Sequence, residues 1–292
     1  MHLKIKNCLL FCFIIAGFLS ACEKNDSFFF GLANNQDIHA IVNNNESVTF
    51  TTTSPATWSV ENGSYGTVTA DGKFTGSNVD GVAVVVATSI KDTALKLYMI
   101  ILVNHNAAIL KEMIKGGYIL SFRHTDATLG ADSFGTLSSG WWKSCNSTLA
   151  KQLTLGKGNI DADSIGQSLN LLRTHGVQFD TVRTSEYCRC RQTAEGFKLV
   201  NLAIKESPVL TYFVYDEANR YPNTMALYAS LPVNDKNFIT VTHADFSANL
   251  PSTPYLNLLQ PGDAAVFKKQ AGGSLAYVAT ISLKDWKEMS RR

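Results

Sequence analysis

The sequence lacks an excess of charge of either sign. Its 292 residues include 26 Lys and Arg against 24 Asp and Glu, which gives a formal net charge of +2. The basic residues are scattered along the chain and form no stripe. Because proteins that bind nucleic acid concentrate positive charge on one surface, we expect no nucleic-acid partner.

A long apolar run is also missing from the N-terminus. The run from Cys8 to Leu19 has twelve residues, too few to span a bilayer, which takes about 20. Lys4 and Lys6 precede it and Cys22 follows it, in the order of an export signal. The series resembles a bacterial lipoprotein signal that is cleaved before a cysteine. The alternative is an ordinary secretory signal that ends at a cysteine by chance.

The lipoprotein resemblance implies how the chain begins and where it resides. Residues 1–22 would be the signal peptide and residues 23–34 a tether. Acyl chains on Cys22 would anchor an exported protein to a bacterial cell membrane without a transmembrane helix, on the periplasmic side or at the outer surface. The membrane is therefore one expected partner.

Cysteine is scarce after Cys22, where only Cys145, Cys188 and Cys190 remain. Export places these thiols in an oxidising compartment, which favours one disulfide from Cys145 to either Cys188 or Cys190. Metal ligation is the alternative, but Cys-x-Cys lacks the spacing of the usual zinc sites. We expect no metal and no cofactor.

Short β-rich runs fill the mature chain up to about residue 104. Turn signals at Asn62-Gly63, Asp71-Gly72 and Asp80-Gly81 separate them. Many short strands at regular turn spacing predict an all-β sandwich over residues 35–104. The segment from residue 57 to residue 76 resembles group-2 bacterial immunoglobulin-like repeats, which implies an immunoglobulin-like spacer or adhesion domain.

Helices and strands alternate over residues 105–292. This order predicts an α/β domain in which a mostly parallel sheet lies between two helical layers. The predicted strands are Tyr118–Phe122, Phe179–Thr184, Pro208–Phe213, Phe238–Thr242 and a hairpin of Ala264–Lys268 with Leu275–Ser282. The predicted helices begin at caps Asn106, Asp163 and Asn223, near Cys188, and at Leu283.

Residues suited to phosphate chemistry follow the ends of three strands. His124, Ser185 and His243 each come just after a predicted strand, and ligands of such sheets bind at the carboxyl ends of the strands. Arg123 and Arg189 accompany them. Guanidinium groups hold phosphate oxygens and a neutral imidazole can attack phosphorus, so the pattern predicts phosphoryl transfer.

Three motifs in this order resemble a known family. They are Arg123-His124-Thr125, which matches two positions of an Arg-His-Gly motif, the segment Ser185 to Ala194, and Val241-Thr242-His243. Together they resemble the histidine phosphatase (phosphoglycerate-mutase-like) superfamily, in its compact branch, over about residues 107–290. The resemblance implies the three-layer αβα fold of that superfamily.

The resemblance also implies a reaction. His124 would take the phosphoryl group, Arg123 and Arg189 would bind its oxygens together with both histidines, and His243 would donate to the phosphate. The expected activity is metal-independent hydrolysis of small phosphomonoesters or phosphoramidates through a phosphohistidine. A phosphate- or glycan-binding adhesion lipoprotein that uses the same pocket without turnover is the alternative.

The sequence departs from the family pattern at three places. Thr125 replaces the motif glycine, and Ala244 follows the second histidine. The acid that protonates the leaving group is ambiguous between Glu217 and Asp245, since each lies where one branch of the superfamily places it. Asp245 is slightly favoured because the strand end before it fixes its distance to the pocket.

Overall fold

The structure is a computed structural model. It describes residues 29–127, 140–145, 156–211, 214–216, 218–244, 259–270 and 272–291. Cys22, Glu217 and Asp245 lie outside these ranges. The signal peptide, the lipid anchor and the identity of the general acid therefore stay predictions.

Thirteen strands and five α-helices make up the regular structure of the described residues. The strands are β1 His39–Val42, β2 Ser47–Thr49, β3 Ala56–Val60, β4 Gly66–Val68, β5 Lys73–Gly76, β6 Gly81–Ser89, β7 Lys96–Val103, β8 Tyr118–Arg123, β9 Phe179–Thr184, β10 Ile204–Glu206, β11 Asn237–Thr242, β12 Ala264–Lys269 and β13 Leu275–Ile281. The helices are α1 Ala107–Met113, α2 Lys157–Thr174, α3 Cys188–Gly196, α4 Arg220–Ser230 and α5 Leu283–Met289.

Two sheets form the N-terminal part of the molecule. One has the strand order β1-β7-β6-β3 and the other β2-β5-β4. Phe74 of the smaller sheet shares a buried cluster with Val85 and Met99 of the larger one. The predicted all-β segment is therefore present, whereas its immunoglobulin-like classification stays a prediction. Strands β1 and β5 were not expected from the sequence.

A six-stranded mixed sheet forms the second part, in the order β10-β9-β11-β8-β12-β13. The first four strands are parallel, and β12 and β13 add an antiparallel hairpin at one edge. Helices α1, α2, α3 and α5 pack on one face and α4 packs on the other. The predicted α/β architecture with helices on both faces is confirmed at this level.

Three sequence predictions of local structure are wrong. Helix α2 begins at Lys157, so Asp163 lies inside it and pairs with Lys198 instead of capping it. Helix α4 begins at Arg220, which likewise places Asn223 inside the helix. Residues 208–210 form a 3-10 turn with proline in its first turn, and the edge strand is β10, just before it.

The two parts of the molecule share one hydrophobic core. Ile41, Val82 and Leu102 from the β-rich part belong to the cluster that contains the side chains of α2 and α5. The amide of Val82 donates to the carbonyl of Arg291 at 2.8 Å. No helix among the described residues is long and apolar enough to cross a bilayer.

Candidate functional site

The two histidines lie side by side because β8 and β11 are neighbouring parallel strands. Thr242 pairs with Arg123 in the strand register, and the amide of His124 donates to the carbonyl of Thr242 at 3.0 Å. The imidazole rings of His124 and His243 are 5.4 Å apart between centroids and 67° apart in plane. The sheet thus brings both predicted histidines to one edge.

The hydrogen bonds of His124 specify its tautomer. Its Nδ1 lies 2.8 Å from the backbone carbonyl oxygen of Thr125, which only accepts, so Nδ1 carries the proton. The Nε of Arg189 lies 3.1 Å from Nε2 and can only donate, so Nε2 carries a lone pair. A neutral imidazole in this tautomer presents a nucleophilic nitrogen to the guanidinium of Arg189.

His243 is buried and neutral. Burial lowers its pKa well below the usual value, and the charges of Arg189, Arg220 and Arg123 lower this pKa further. Arg189 donates to Nδ1 at 3.2 Å, and Nε2 donates to the hydroxyl of Ser185 at 3.0 Å. In this geometry Nδ1 of His243 accepts a hydrogen bond from Arg189.

Arg189 contacts both histidines from the first turn of α3. Its side chain is buried, and its guanidinium carbon lies 4.3 Å from the centroid of the Tyr187 ring. The amide of Ser185 donates to the carbonyl of Val241 at 2.9 Å, which places this turn at the carboxyl end of β9, next to β11. The predicted pairing of Arg189 with the two histidines is therefore present.

Arg123 lies at the carboxyl end of β8. Its guanidinium donates to the carbonyl of Leu259 at 2.7 Å, and its side chain is half-buried. It is one of the charges that lower the pKa of His243. The described geometry thus places both predicted arginines beside the histidine pair.

Arg220 was missed by the sequence analysis. It is the first residue of α4, its side chain is buried, and its charge lowers the pKa of His243. The helix packs against the 3-10 turn Pro208–Leu210, and the carbonyl of Leu210 accepts from Thr242 at 2.9 Å. No motif marks Arg220 in the sequence, because only the correct start of α4 places it near the histidines.

The three cysteines resolve into one disulfide and one thiol. Cys145 is bonded to Cys188, and Cys190 is a buried thiol outside the disulfide. The Sγ of Cys190 lies 3.6 Å from Nε2 of His243. Of the two pairings left open by the sequence, the structure has the one that links Cys145 to the residue before Arg189. Within the described ranges, no cluster of His, Cys, Asp or Glu is arranged to hold a metal ion.

No protein-family model matches this sequence, and the comparison with curated proteins gives no match. Among solved structures, the chain is similar to the protein histidine phosphatase SixA complexed with tungstate, with 19% identity, 57% of this chain and 98% of that chain covered, and a TM-score of 0.39.

Two further similar structures have comparable values. One is a putative phosphohistidine phosphatase SixA from Agrobacterium tumefaciens (16% identity, 57% and 98% covered, TM-score 0.38). The other is a mycobacterial glucosyl-3-phosphoglycerate phosphatase complexed with VO3 (12% identity, 57% and 100% covered, TM-score 0.38). Each of the three covers 57% of this chain, and their identities and TM-scores are too low to assign an activity to it.

Proposed function

We propose that this protein is a phosphatase that acts through a phosphohistidine on His124. The observation that carries the proposal is the contact between Nε2 of His124 and Nε of Arg189, 3.1 Å apart, while Thr125 holds the proton on Nδ1. A lone pair on nitrogen therefore faces a guanidinium group that binds phosphate oxygens.

In the first half-reaction Nε2 of His124 attacks phosphorus. The N–P bond forms while the bond from phosphorus to the leaving group breaks, and Arg123 and Arg189 stabilise the charge on the phosphoryl oxygens. The leaving group departs with a proton from an acid, for which Glu217 and Asp245 remain the candidates. In the second half-reaction water attacks phosphorus and gives a proton back to the carboxylate formed in the first, the N–P bond breaks with its electron pair returning to Nε2, and phosphate leaves.

The role proposed for His243 follows from its surroundings. Burial and the charges of three arginines lower its pKa, and a phosphate dianion beside it would offset the charge of the arginines. Nδ1 would then take up a proton and donate to a phosphoryl oxygen. This hydrogen bond would strengthen as negative charge grows in the transition state.

The remaining parts of the proposal concern location and substrate. The substrate class is small phosphorylated molecules, either phosphomonoesters or phosphoramidates, hydrolysed without a metal. The protein would act outside the cytoplasm, held to a bacterial membrane by a lipid on Cys22. The immunoglobulin-like classification of the β-rich part is proposed from the sequence resemblance.

Hydrolysis of p-nitrophenyl phosphate in the presence of EDTA tests the reaction. The wild-type protein should release p-nitrophenol and, after quenching without acid, should carry phosphate on His124. His124→Ala should lose at least a hundredfold in rate, whereas His39→Ala, a histidine in β1, should not. Full activity in His124→Ala would refute the mechanism. Vanadate binding without any hydrolysis would instead favour the alternative, a protein that binds phosphate in the same pocket without turnover.

A further inference from the structure

We propose that residues 140–145, here called the brace, position the phosphate site through Tyr187, and that the Cys145–Cys188 disulfide fixes them there. The proposal rests on the proposed function, because it concerns the orientation of the same two phosphate-binding side chains. The brace contacts the turn that carries Arg189.

The brace contacts four residues of that turn and of α3. Trp142 and Lys143 reach Glu186, Trp141 packs its ring edge-on to Tyr187 with centroids 5.7 Å apart, and Cys145 is bonded to Cys188. The guanidinium of Arg191 donates to the carbonyl of Lys143 at 3.0 Å. Such a run of contacts makes the position of the turn depend on the position of the brace.

Glu186 is the polar anchor of this contact. Its carboxylate is 4% exposed and accepts from the indole of Trp142 at 2.8 Å and from the phenol of Tyr215 at 2.5 Å, with the ammonium of Lys143 at 3.0 Å. Burial raises the pKa of Glu186, but these three donors outweigh burial and lower the pKa below its usual value. A buried carboxylate with three donors has little freedom to rotate.

Tyr187 connects the brace to Arg189 and His243. Its fully buried ring contacts Trp141 of the brace, supports the guanidinium of Arg189 at 4.3 Å, and meets the His243 ring edge-on at 5.2 Å. A shift of Tyr187 therefore displaces both groups that face the phosphate. Cys188 lies between Tyr187 and Arg189 in the chain. The disulfide therefore attaches the brace to the turn directly beside both of these residues.

Reduction of the disulfide tests the positioning role directly. A small dithiol converts Cys145 and Cys188 to two thiols and is itself oxidised to a cyclic disulfide, so two electrons and two protons are accounted for. The brace then keeps its hydrogen bonds but loses its covalent link. The dithiol is removed without air before measurement, and inorganic phosphate is the binding probe, with p-nitrophenyl phosphate as substrate.

We expect reduction to raise the KM for p-nitrophenyl phosphate and the Kd for inorganic phosphate by about tenfold to a hundredfold. The pKa of His243, followed by NMR, should shift as Arg189 moves. A Cys145→Ser/Cys188→Ser double variant should match the reduced protein and should not respond to dithiol. Unchanged phosphate binding after complete reduction, in protein that is still folded by circular dichroism, would overturn the proposal.

A second pair of variants leaves the disulfide intact. Trp142→Phe keeps an aromatic ring in the brace but removes the donor to Glu186, and Glu186→Gln keeps the shape of the acceptor but removes its charge. Both should weaken phosphate binding while melting temperatures stay above the assay temperature. Normal phosphate affinity in both variants would contradict the role of Glu186.

Failure of the brace proposal is distinguishable from failure of the proposed function. If oxidised wild-type protein binds phosphate but hydrolyses nothing, the proposed function fails, and the binding measurements still decide whether the brace positions Arg189 and His243. If hydrolysis depends on His124 but is indifferent to reduction and to the Glu186 variant, the function stands and the brace proposal fails.

Discussion

The hydroxyl of Thr125 lies 3.1 Å from the hydroxyl of Thr193, and both side chains are fully buried. The amide of Thr125 also donates to Thr193, whose hydroxyl in turn donates to the carbonyl of Arg189. Thr125 is not among the residues with positive φ, so its backbone does not require glycine. Thr125 therefore links the loop of His124 to the helix that carries Arg189.

Replacing Thr125 by glycine should lower the stability of the protein and should not raise its activity. Thr125→Gly removes a buried hydroxyl contact and adds backbone freedom, so we expect the free energy of unfolding to fall by about 1–3 kcal/mol, without a gain in kcat. Urea denaturation and p-nitrophenyl phosphate kinetics measure the two effects. Thr125→Ser, which keeps the hydroxyl, should lose less stability. An increase in kcat in the glycine variant would show that Thr125 obstructs the site.

Anion binding should be coupled to proton uptake by His243. Its pKa lies well below the usual value in the empty site, and a bound dianion raises it. The liganded protein then holds one more proton, so the Kd for sulfate, which does not titrate near neutral pH, should fall by up to about tenfold per pH unit on acidification. Calorimetry in buffers of different ionisation enthalpy measures the number of protons that are taken up when sulfate binds.

The matched control for this coupling is His243→Gln. It should bind sulfate more weakly and with a smaller dependence on pH. A pH dependence equal to that of the wild type would assign the proton to another group.

The charge of Arg220 should be detectable at His243. Arg220→Met removes one of the cations that lower the pKa of His243, so this pKa should rise, and sulfate binding should weaken by about tenfold. NMR titration of the imidazole and calorimetry measure the two quantities. Arg173→Met, on α2 beside Asn170, is the control and should change neither. An unchanged pKa of His243 in Arg220→Met would show that the charge of Arg220 does not act on the site.

Acid should weaken the contact between the two parts of the molecule through His175. This buried side chain lies near the carbonyls of Leu171 and Ile100, at 2.9 and 3.3 Å, and its ring is 5.2 Å from that of His39. Burial lowers the pKa of His175, carbonyl acceptors oppose the shift, and the charge of His39 adds to it.

The sign of the effect on stability follows from this shift. Below the unfolded-state pKa of about 6.5 the unfolded chain gains a proton at His175 that the folded protein does not, so the free energy of unfolding falls by up to about 1.4 kcal/mol per pH unit for this group. The loss ends at the lower folded-state pKa. Urea midpoints between pH values of about 7.5 and 5 measure it. His175→Gln should show a shallower slope, and an identical slope would exclude His175.

The parts of the site that follow strand ends could be predicted from the sequence. His124 and His243 each follow an apolar run that predicts a strand. Neighbouring parallel strands end at the same edge of a sheet, so the two histidines are expected to lie close together. The pairing of Arg189 with them follows from the same rule, because β9 lies next to β11. Such strongly apolar runs allow few assignments other than a buried strand.

Arg220 and Glu186 could not be found in this way. Asparagine is a frequent cap, so the sequence predicts Asn223 as the cap of α4, whereas the cap is Asn219, four residues earlier. Glu186 has no signal of its own, since its partners Trp142, Lys143 and Tyr215 are distant in sequence. Long-range packing decides both cases, and local propensity does not carry that information.

Ile41, Val82 and Leu102 share a core with α2 and α5, which joins the β-rich part to the α/β part. A chain severed near residue 104 would expose apolar side chains of this shared core on both fragments, and we expect each fragment to be less stable alone than in the whole chain. The proposed phosphate site therefore keeps a fixed orientation relative to the β-rich part. Any attachment of the β-rich part would also set the direction in which the site faces.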